Sequence, residues 1–408
     1  MMKLLVSAYT CEPGSGSEEG VGWNMAVELA KYYETWVLTR TIFRSTIEAE
    51  LIRNPLPSLH FVYFDPFNWT EDWRGRQGAV QLHYYLWQIE AYFVGRSLHH
   101  QIGFDLVRHA TYVKFWSPSF LALLPVPFIW GPVGGGEQAP KPFWKEFSLW
   151  GKVYETLRDL GQRLGESDPF TRITAQRSAL AQATTEDTAK RVLKMGAKNV
   201  QVFSEAGLSK QEIAHLAQHP MPENFPVRFI SMGRLLHWKG YHLAVRAFAK
   251  ADLPDAEYWL LGDGPERERL QSLVEELGVA AKVKFWGKLS REESLGKLGE
   301  CHVLVHPSLH DSGGWTCLEA MAAGRPVVCL DLGGPATQVT EETGLKVPAP
   351  DPSQTVSGLA EAMTRLARDP ELRVRIGQAG QKRVKEIYDW EVKGQVLVRL
   401  YEEVLAQK

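Results

Sequence analysis

The sequence predicts an α/β protein made of two doubly wound parallel-sheet domains. Three observations lead there. The chain has 408 residues, and at roughly 150 residues per domain this is enough for two or three hydrophobic cores. Short β-branched or apolar runs alternate with longer helical patterns, the signature of parallel βαβ units. The alternation restarts after Gln218–Pro226, a stretch punctuated by Pro220, Pro222 and Pro226 and therefore suited to a linker.

Strands are expected in the first half at Lys3–Tyr9, Thr35–Leu38, Leu59–Phe64, Leu106–His109, Phe128–Trp130 and Gln182–Thr184. The second series is Val227–Met232, Tyr258–Leu261, Val283–Trp286, Val303–His306 and Val327–Leu330. This places one domain over 1–205 and another over 206–389, joined near 205–226. No internal repeat points to a solenoid.

Composition excludes several functions. With 44% hydrophobic and 23% charged residues the chain is globular rather than disordered. Forty-six basic against 48 acidic residues give a net charge of −2, so no field favours nucleic acid. Cys11, Cys301, Cys317 and Cys329 form no Cys-x-x-Cys pair, and neither disulfides nor a cysteine zinc site is expected. His302, His306 and His310 recur every four residues, but Pro307 breaks any helix that would align them as ligands. No apolar run approaches the roughly 20 residues of a membrane span, and MMKLLVSAY is too short for a signal-peptide core. A cytoplasmic location is expected, and Asn68-Trp69-Thr70 reads as a chance glycosylation match. Aromatic residues cluster in Phe61–Trp73, Tyr84–Phe93 and Phe143–Tyr154. They suit a heavily aromatic core or sugar stacking. Lys141, Lys145, Lys152 and Arg158 beside Phe143, Trp144, Phe147 and Trp150 also suit peripheral membrane contact of the first domain.

Four loops carry chemistry. Cys11–Asn24 contains Gly14, Gly16, Gly20 and Gly22, which free the backbone before a helix start that can face an anion. The spacing is not G-x-G-x-x-G, Glu18 and Glu19 would repel a pyrophosphate, and Arg40 stands where a ribose-binding acid belongs. A structural turn, a loop facing an active site, or an NADP site with Arg40 at the 2′-phosphate are the readings left. Gly134-Gly135-Gly136-Glu137 is a second glycine cluster at a strand's carboxyl end. In SMGRLLHWKG, Gly233 permits a turn while Arg234 and Lys239 offer a charge fork and a point charge, which suits a diphosphate. In HDSGGWTCLEA, Asp311 and Glu319 flank Gly313, Gly314 and Trp315, whose N–H groups would meet an anion at a helix start. Glu319 is placed to reach a diol. Solvated charges and helix capping are the bland readings of these segments. No Asp-x-Asp occurs, so no metal-dependent diphosphate site is indicated.

Together SMGRLLHWKG, LLGDGPER, VKFWGKLSREE, HDSGGWTCLEAMAAGRPVV and EIYDWEVKGQVLVRLYEEVL resemble the retaining glycosyltransferases of family 4, in that family's order and spacing. The resemblance covers about 226–405 strongly and the first 205 residues loosely, through the glycine loop and DLVRHATY. It implies the GT-B fold, two Rossmann-like domains facing a central cleft, with the helix 390–408 crossing back onto an acceptor-binding first domain. A UDP- or GDP-sugar would be held mainly by the second domain and passed to a carbohydrate, lipid-linked or small-molecule acceptor. No cofactor or metal is implied. His109, Arg234, Lys239 and Asp311 would be catalytic. Gly16, Gly233, Trp286, Gly287, Lys288, Gly313, Gly314, Trp315, Thr316 and Glu319 would join Arg234, Lys239 and Asp311 around the donor. Gly134, Gly135, Gly136 and Glu137 would lie on the acceptor side. The family usually has glutamate where Asp311 stands, one methylene longer. A non-catalytic nucleotide-sugar-binding protein is the other consequence of that difference. Polysaccharide or glycolipid biosynthesis, in the cytoplasm or at the inner face of the membrane, is the implied setting.

Overall fold

The computed structural model describes residues 2–69, 77–222 and 226–406. Thr70 and Trp73, with part of the linker (223–225), lie outside them. The chain divides into two compact units, one of residues 1–136, 158–206 and 390–408 and one of 137–157 and 207–389.

The first unit holds a seven-stranded sheet: β1 (Lys3–Ala8), β2 (Glu34–Thr39), β3 (Leu59–Tyr63), β4 (Leu106–Thr111), β5 (Phe128–Val133), β6 (Ser178–Ala183) and β7 (Val200–Val202). Their order is β3-β2-β1-β4-β5-β6-β7, and every pair is parallel. The second unit holds β8 (Val227–Met232), β9 (Ala256–Leu261), β10 (Val283–Gly287), β11 (Val303–His306), β12 (Val327–Leu330) and β13 (Gly344–Val347). These run in the order β10-β9-β8-β11-β12-β13, again parallel throughout. Both sheets are doubly wound. β4, β5, β11 and β12 are buried at every residue, as strands covered on both faces must be.

The order reverses between β1 and β4 and between β8 and β11. Ligands of open α/β sheets bind beyond the carboxyl ends of strands at such reversals. The turns after β8 and β11 are therefore where the second unit should do its chemistry, and they carry Arg234, Lys239 and Asp311.

Three features differ from the sequence reading. β7 and β13 were not anticipated, because short edge strands interrupted by Gln201, Gly344 or Lys346 lack a continuous apolar run. β6 begins at Ser178 and ends before Thr184. Residues 137–157 group with the second unit, because Ala139, Phe143 and Phe147 sit in the same core as Phe229, Leu243 and Val305. That burial also removes Phe143 and Phe147 from any exposed membrane-facing set.

The terminal helix Trp390–Ala406 packs within the first unit. Arg108, fully buried on β4, donates to the Tyr401 hydroxyl at 2.7 Å and to Gln182 Oε1 at 2.7 Å. Lys393 Nζ donates to the Ser204 and Ala206 carbonyls. Burial, with repulsion from Arg108, lowers the lysine to about 7. All four cysteines are buried and free. Among the described residues no helix is long and apolar enough to cross a membrane.

Candidate active site

In the second unit, glycine brings two turns into contact. Gly240 has a φ of 68°, and a Cβ there would lie 2.0 Å from the Pro307 carbonyl oxygen, so only glycine lets the turn after β8 lie against the turn after β11. The Leu309 N–H donates to the Trp238 carbonyl at 2.8 Å. The Trp238 ring stacks on His310 and Tyr154, with centroids 5.3 and 4.9 Å away. Beneath this stack the Glu155 carboxylate accepts from His237 Nε2 at 3.0 Å and His310 Nε2 at 3.1 Å. One buried acid thus ties together both turns.

The consequence is a short ion pair. Lys239 Nζ lies 2.5 Å from Asp311 Oδ2, and His306 Nε2 lies 3.1 Å from the same oxygen. The other oxygen, Oδ1, accepts the Gly313 and Gly314 N–H groups at 3.2 Å each. Burial pushes the Asp311 carboxyl upward, but the Lys239 charge and the His306 hydrogen bond outweigh it and hold the group well below the usual carboxylate range. His306 is pushed down by burial. A neutral ring that donates from Nε2 must accept at Nδ1, so the Thr316 hydroxyl, 3.1 Å away, is the donor there.

This corrects one expectation about the amides. Gly313 and Gly314 do not present free N–H groups, because the short aspartate side chain folds back onto its own loop. Among the described residues, the open N–H groups of this turn are those of Trp315 and Thr316, in the first turn of the helix Trp315–Ala322. Arg234 is exposed and its guanidinium has no partner among the described residues. Gly233 takes a φ of 135° and hands the chain into this turn.

Glu319 is buried and bonded to Arg291 Nη1 at 2.7 Å, while Arg291 Nη2 holds Glu212 at 2.9 Å. Burial raises the Glu319 carboxyl, and Arg291 only partly reverses that. Near β10, the Trp286 ring packs on Trp259 at 5.0 Å with the Lys297 ammonium 4.2 Å above it. The Gly287 carbonyl accepts from the Gly262 N–H at 2.8 Å, and Lys288 is exposed.

Glu137 parts company with its glycines. It belongs to the second unit, where it accepts from the Ser312 hydroxyl at 2.6 Å. Gly134, Gly135 and Gly136 instead pack inside the first unit. Gly134 pairs with Lys114, and the Gly135 carbonyl accepts from Gln162 Nε2 at 2.9 Å. The Gly136 N–H donates to Thr188 Oγ1 at 2.9 Å. A Cβ on Gly136 would sit 2.5 Å from the Thr188 Cα. Close packing, of Gly135 on the Trp116 ring and of Gly136 on the Thr188 backbone, accounts for these two glycines without a ligand.

The other first-unit expectations are also revised. His109 is fully buried, between the Tyr84 hydroxyl at 3.2 Å and Gln88 Nε2 at 3.3 Å, so its ring is closed to a bound sugar. Burial lowers it to about 3. An unfolded histidine takes up its proton near 6.5, and His109 does not. The first unit therefore loses stability as pH falls from 6.5 toward 3, at about 1.4 kcal/mol per pH unit from this residue alone. Its imidazole resonances should stay unmoved in an NMR titration from pH 8 to 5, and a midpoint near 6.5 would refute the placement. Arg40 is buried, 2.9 Å from Asp65 Oδ1 and stacked over Tyr9, which removes it as a 2′-phosphate ligand. Gly16 caps the helix Ser17–Ala30 without a positive φ. Glu18 accepts the Tyr112 N–H, with its carboxyl raised by burial against the pull of Lys114.

His302 Nδ1 accepts from the Arg228 N–H at 3.0 Å, so the three histidines serve separate partners. Among the described residues no group of three or more His, Cys, Asp or Glu could hold a metal ion. Sequence reasoning missed Glu155, His237, Arg291 and Glu212. Arg291 and His237 had a signal, since they lie within the VKFWGKLSREE and SMGRLLHWKG motifs; Glu155 and Glu212 had none.

Residues 214–383 match the family described as glycosyl transferases group 1. The chain is 34% identical over 201 residues to the lipopolysaccharide core biosynthesis glycosyltransferase LpsE of Rhizobium meliloti, covering 48% of this chain and 56% of that one. It is 32% identical over 183 residues to the D-inositol 3-phosphate glycosyltransferase of Corynebacterium jeikeium, covering 42% of each. The chain spans about half the length of the curated relatives it matches. Among solved structures it is similar to sucrose-phosphate synthase from Thermosynechococcus elongatus, with a TM-score of 0.68, 18% identity and full coverage of both chains. It is also similar to Anabaena HepE in complex with UDP and glucose, with a TM-score of 0.62, 18% identity and coverage of 99% and 100%. The fold is GT-B.

Proposed function

We propose, from a chain whose residues 214–383 match the glycosyl transferases group 1 family, that the protein is a retaining glycosyltransferase. It moves a sugar from a UDP- or GDP-sugar to a carbohydrate, lipid-linked or small-molecule acceptor. The observation that carries this reading is the Lys239–Asp311 pair at the β8/β11 reversal, with Arg234, unpartnered among the described residues, on the same turn as Lys239. The glucose and UDP held by HepE and the lipopolysaccharide role in LpsE's name support donor and acceptor class.

A diphosphate competes with Asp311 for Lys239. When it binds, Lys239 and Arg234 neutralise it, and the released carboxylate accepts hydroxyls of the transferred sugar. The sugar C1–O bond to phosphate breaks as the acceptor oxygen bonds C1 on the same face. The acceptor proton passes to the departing phosphate oxygen, so configuration is retained without an enzyme nucleophile. The two cations stabilise the charge that grows on the phosphate, a task that then needs no divalent metal. The Trp315 and Thr316 N–H groups add to it. Glu319 accepts the ribose hydroxyls, and Trp286–Lys288 lie beside the base.

Incubation with a panel of UDP-, GDP- and ADP-sugars should release nucleoside diphosphate with at least one donor. No release, hydrolysis or binding with any of them overturns the proposal. Glu319→Ala should raise the donor Kd about tenfold with kcat little changed, the loss of one hydrogen-bonded diol; calorimetric titration with the nucleoside diphosphate measures it. The second reading, donor binding without turnover, is favoured by the engagement of both Asp311 oxygens. Turnover gained only by Asp311→Glu would select it.

A further inference from the structure

The helix Leu149–Ser167 is inverted relative to an ordinary surface helix. Leu149, Trp150, Val153, Leu157, Leu160 and Leu164 are all exposed, between 40% and 81%. With about 100° of turn per residue these positions share roughly 100° of the helix circumference, a continuous stripe. The polar residues face the other way. Glu155, Asp159 and Gln162 are 8% exposed or less; Glu155 holds His237 and His310, and Gln162 holds the Gly135 carbonyl. A helix that buries its acids and shows its leucines has its apolar face turned toward something other than the protein core.

Charge identifies that partner. Lys152 and Arg163 border the stripe, exposed and without a side-chain partner among the described residues. Lys141 and Lys145, just before the helix, are exposed as well. The helix has three acids: Glu155 and Asp159 are buried, and Glu166 is engaged by Arg191 at 2.8 Å and Lys194 at 3.7 Å. An apolar stripe containing a tryptophan and bordered by cations matches a helix lying in the plane of an anionic bilayer surface. We infer that this helix docks the protein on membranes rich in anionic lipid, with Trp150, Leu157, Leu160 and Leu164 entering the acyl boundary and Lys152 and Arg163 at the headgroups. The anchor differs from the one the sequence suggested: of its aromatic residues, Phe143 and Phe147 are core and Trp150 alone lies on the stripe. The inference does not rest on the transferase reading, and its test uses no donor or acceptor.

The full chain should co-float with vesicles of phosphatidylglycerol and phosphatidylcholine in equal parts at least about tenfold better than with phosphatidylcholine alone, and about 0.5 M salt, against about 0.05 M, should erase most of that preference. The double variant Leu157→Gln, Leu160→Gln keeps good helix formers and should unfold thermally like the parent, yet lose binding about tenfold or more. Lys152→Glu, Arg163→Glu should lose the preference for the anionic vesicles. Absence of binding to those vesicles at low salt overturns the inference, as does undiminished binding of the Leu→Gln variant. Sedimentation showing a dimer that this variant dissolves, without vesicle binding by the parent, assigns the stripe to a second copy and overturns it equally.

Discussion

Lys239→Ala should lower kcat by about 10²-fold or more, with a smaller change in donor affinity, because it removes a contact that strengthens as the phosphate departs. Arg234→Ala should do the same. The two differ in stability. Arg234 is exposed and unpartnered among the described residues, so its loss should shift unfolding by no more than about 0.5 kcal/mol. Lys239 is the main charge holding the Asp311 carboxyl well below its usual range. A carboxyl depressed in the folded state stabilises it above the unfolded value, about 3.9, and that stabilisation fades as pH falls toward the lower folded value. Without Lys239 less of it exists, and acid unfolding of the variant should begin at a higher pH. Steady-state kinetics and melting curves from about pH 7 down to about pH 3 check both parts. Normal kcat in both variants would place the diphosphate elsewhere.

Glu155→Ala should destabilise the second unit by about 2–5 kcal/mol, since it strands the His237 and His310 donors in a buried site. The same substitution frees the turns bearing Lys239 and Asp311 from their common tie. Donor affinity measured well below the melting temperature should therefore fall as well, and Glu155→Gln, which retains one acceptor, should recover part of each. A variant that melts lower but binds nucleoside diphosphate like the parent would reduce Glu155 to a core residue.

Much of the second unit was legible before any coordinates. β12 is an uninterrupted apolar run, β8 and β11 are β-branched and apolar apart from Arg228, Ser231 and His306, and the turns after β8 and β11 announce themselves through glycines and charges at strand ends. Less of the first unit could be read. His109 sits in a strand ending that suits a ligand contact, but strand period alone does not say that Tyr84 and Gln88 cover its ring. Gly134–Gly136 look like a loop kept open for a ligand, yet the Trp116 ring takes up the space a Cβ would need on Gly135, and Thr188, more than fifty residues onward, does so on Gly136. Arg40 likewise meets Asp65 only after the sheet has formed.

Local order along the chain determined the two series of parallel strands, the turns at their carboxyl ends and the identity of the cations in those turns. Those depend on periodicity and backbone permission, which neighbouring residues set. Which oxygen each cation meets, which amides Asp311 keeps for itself, and which side of the helix Leu149–Ser167 is left bare depend on packing between distant segments. Glu155 sits 82 residues before His237 and 155 before His310, and no periodicity encodes such a meeting; a buried carboxylate finds its donors only when the core closes around all three.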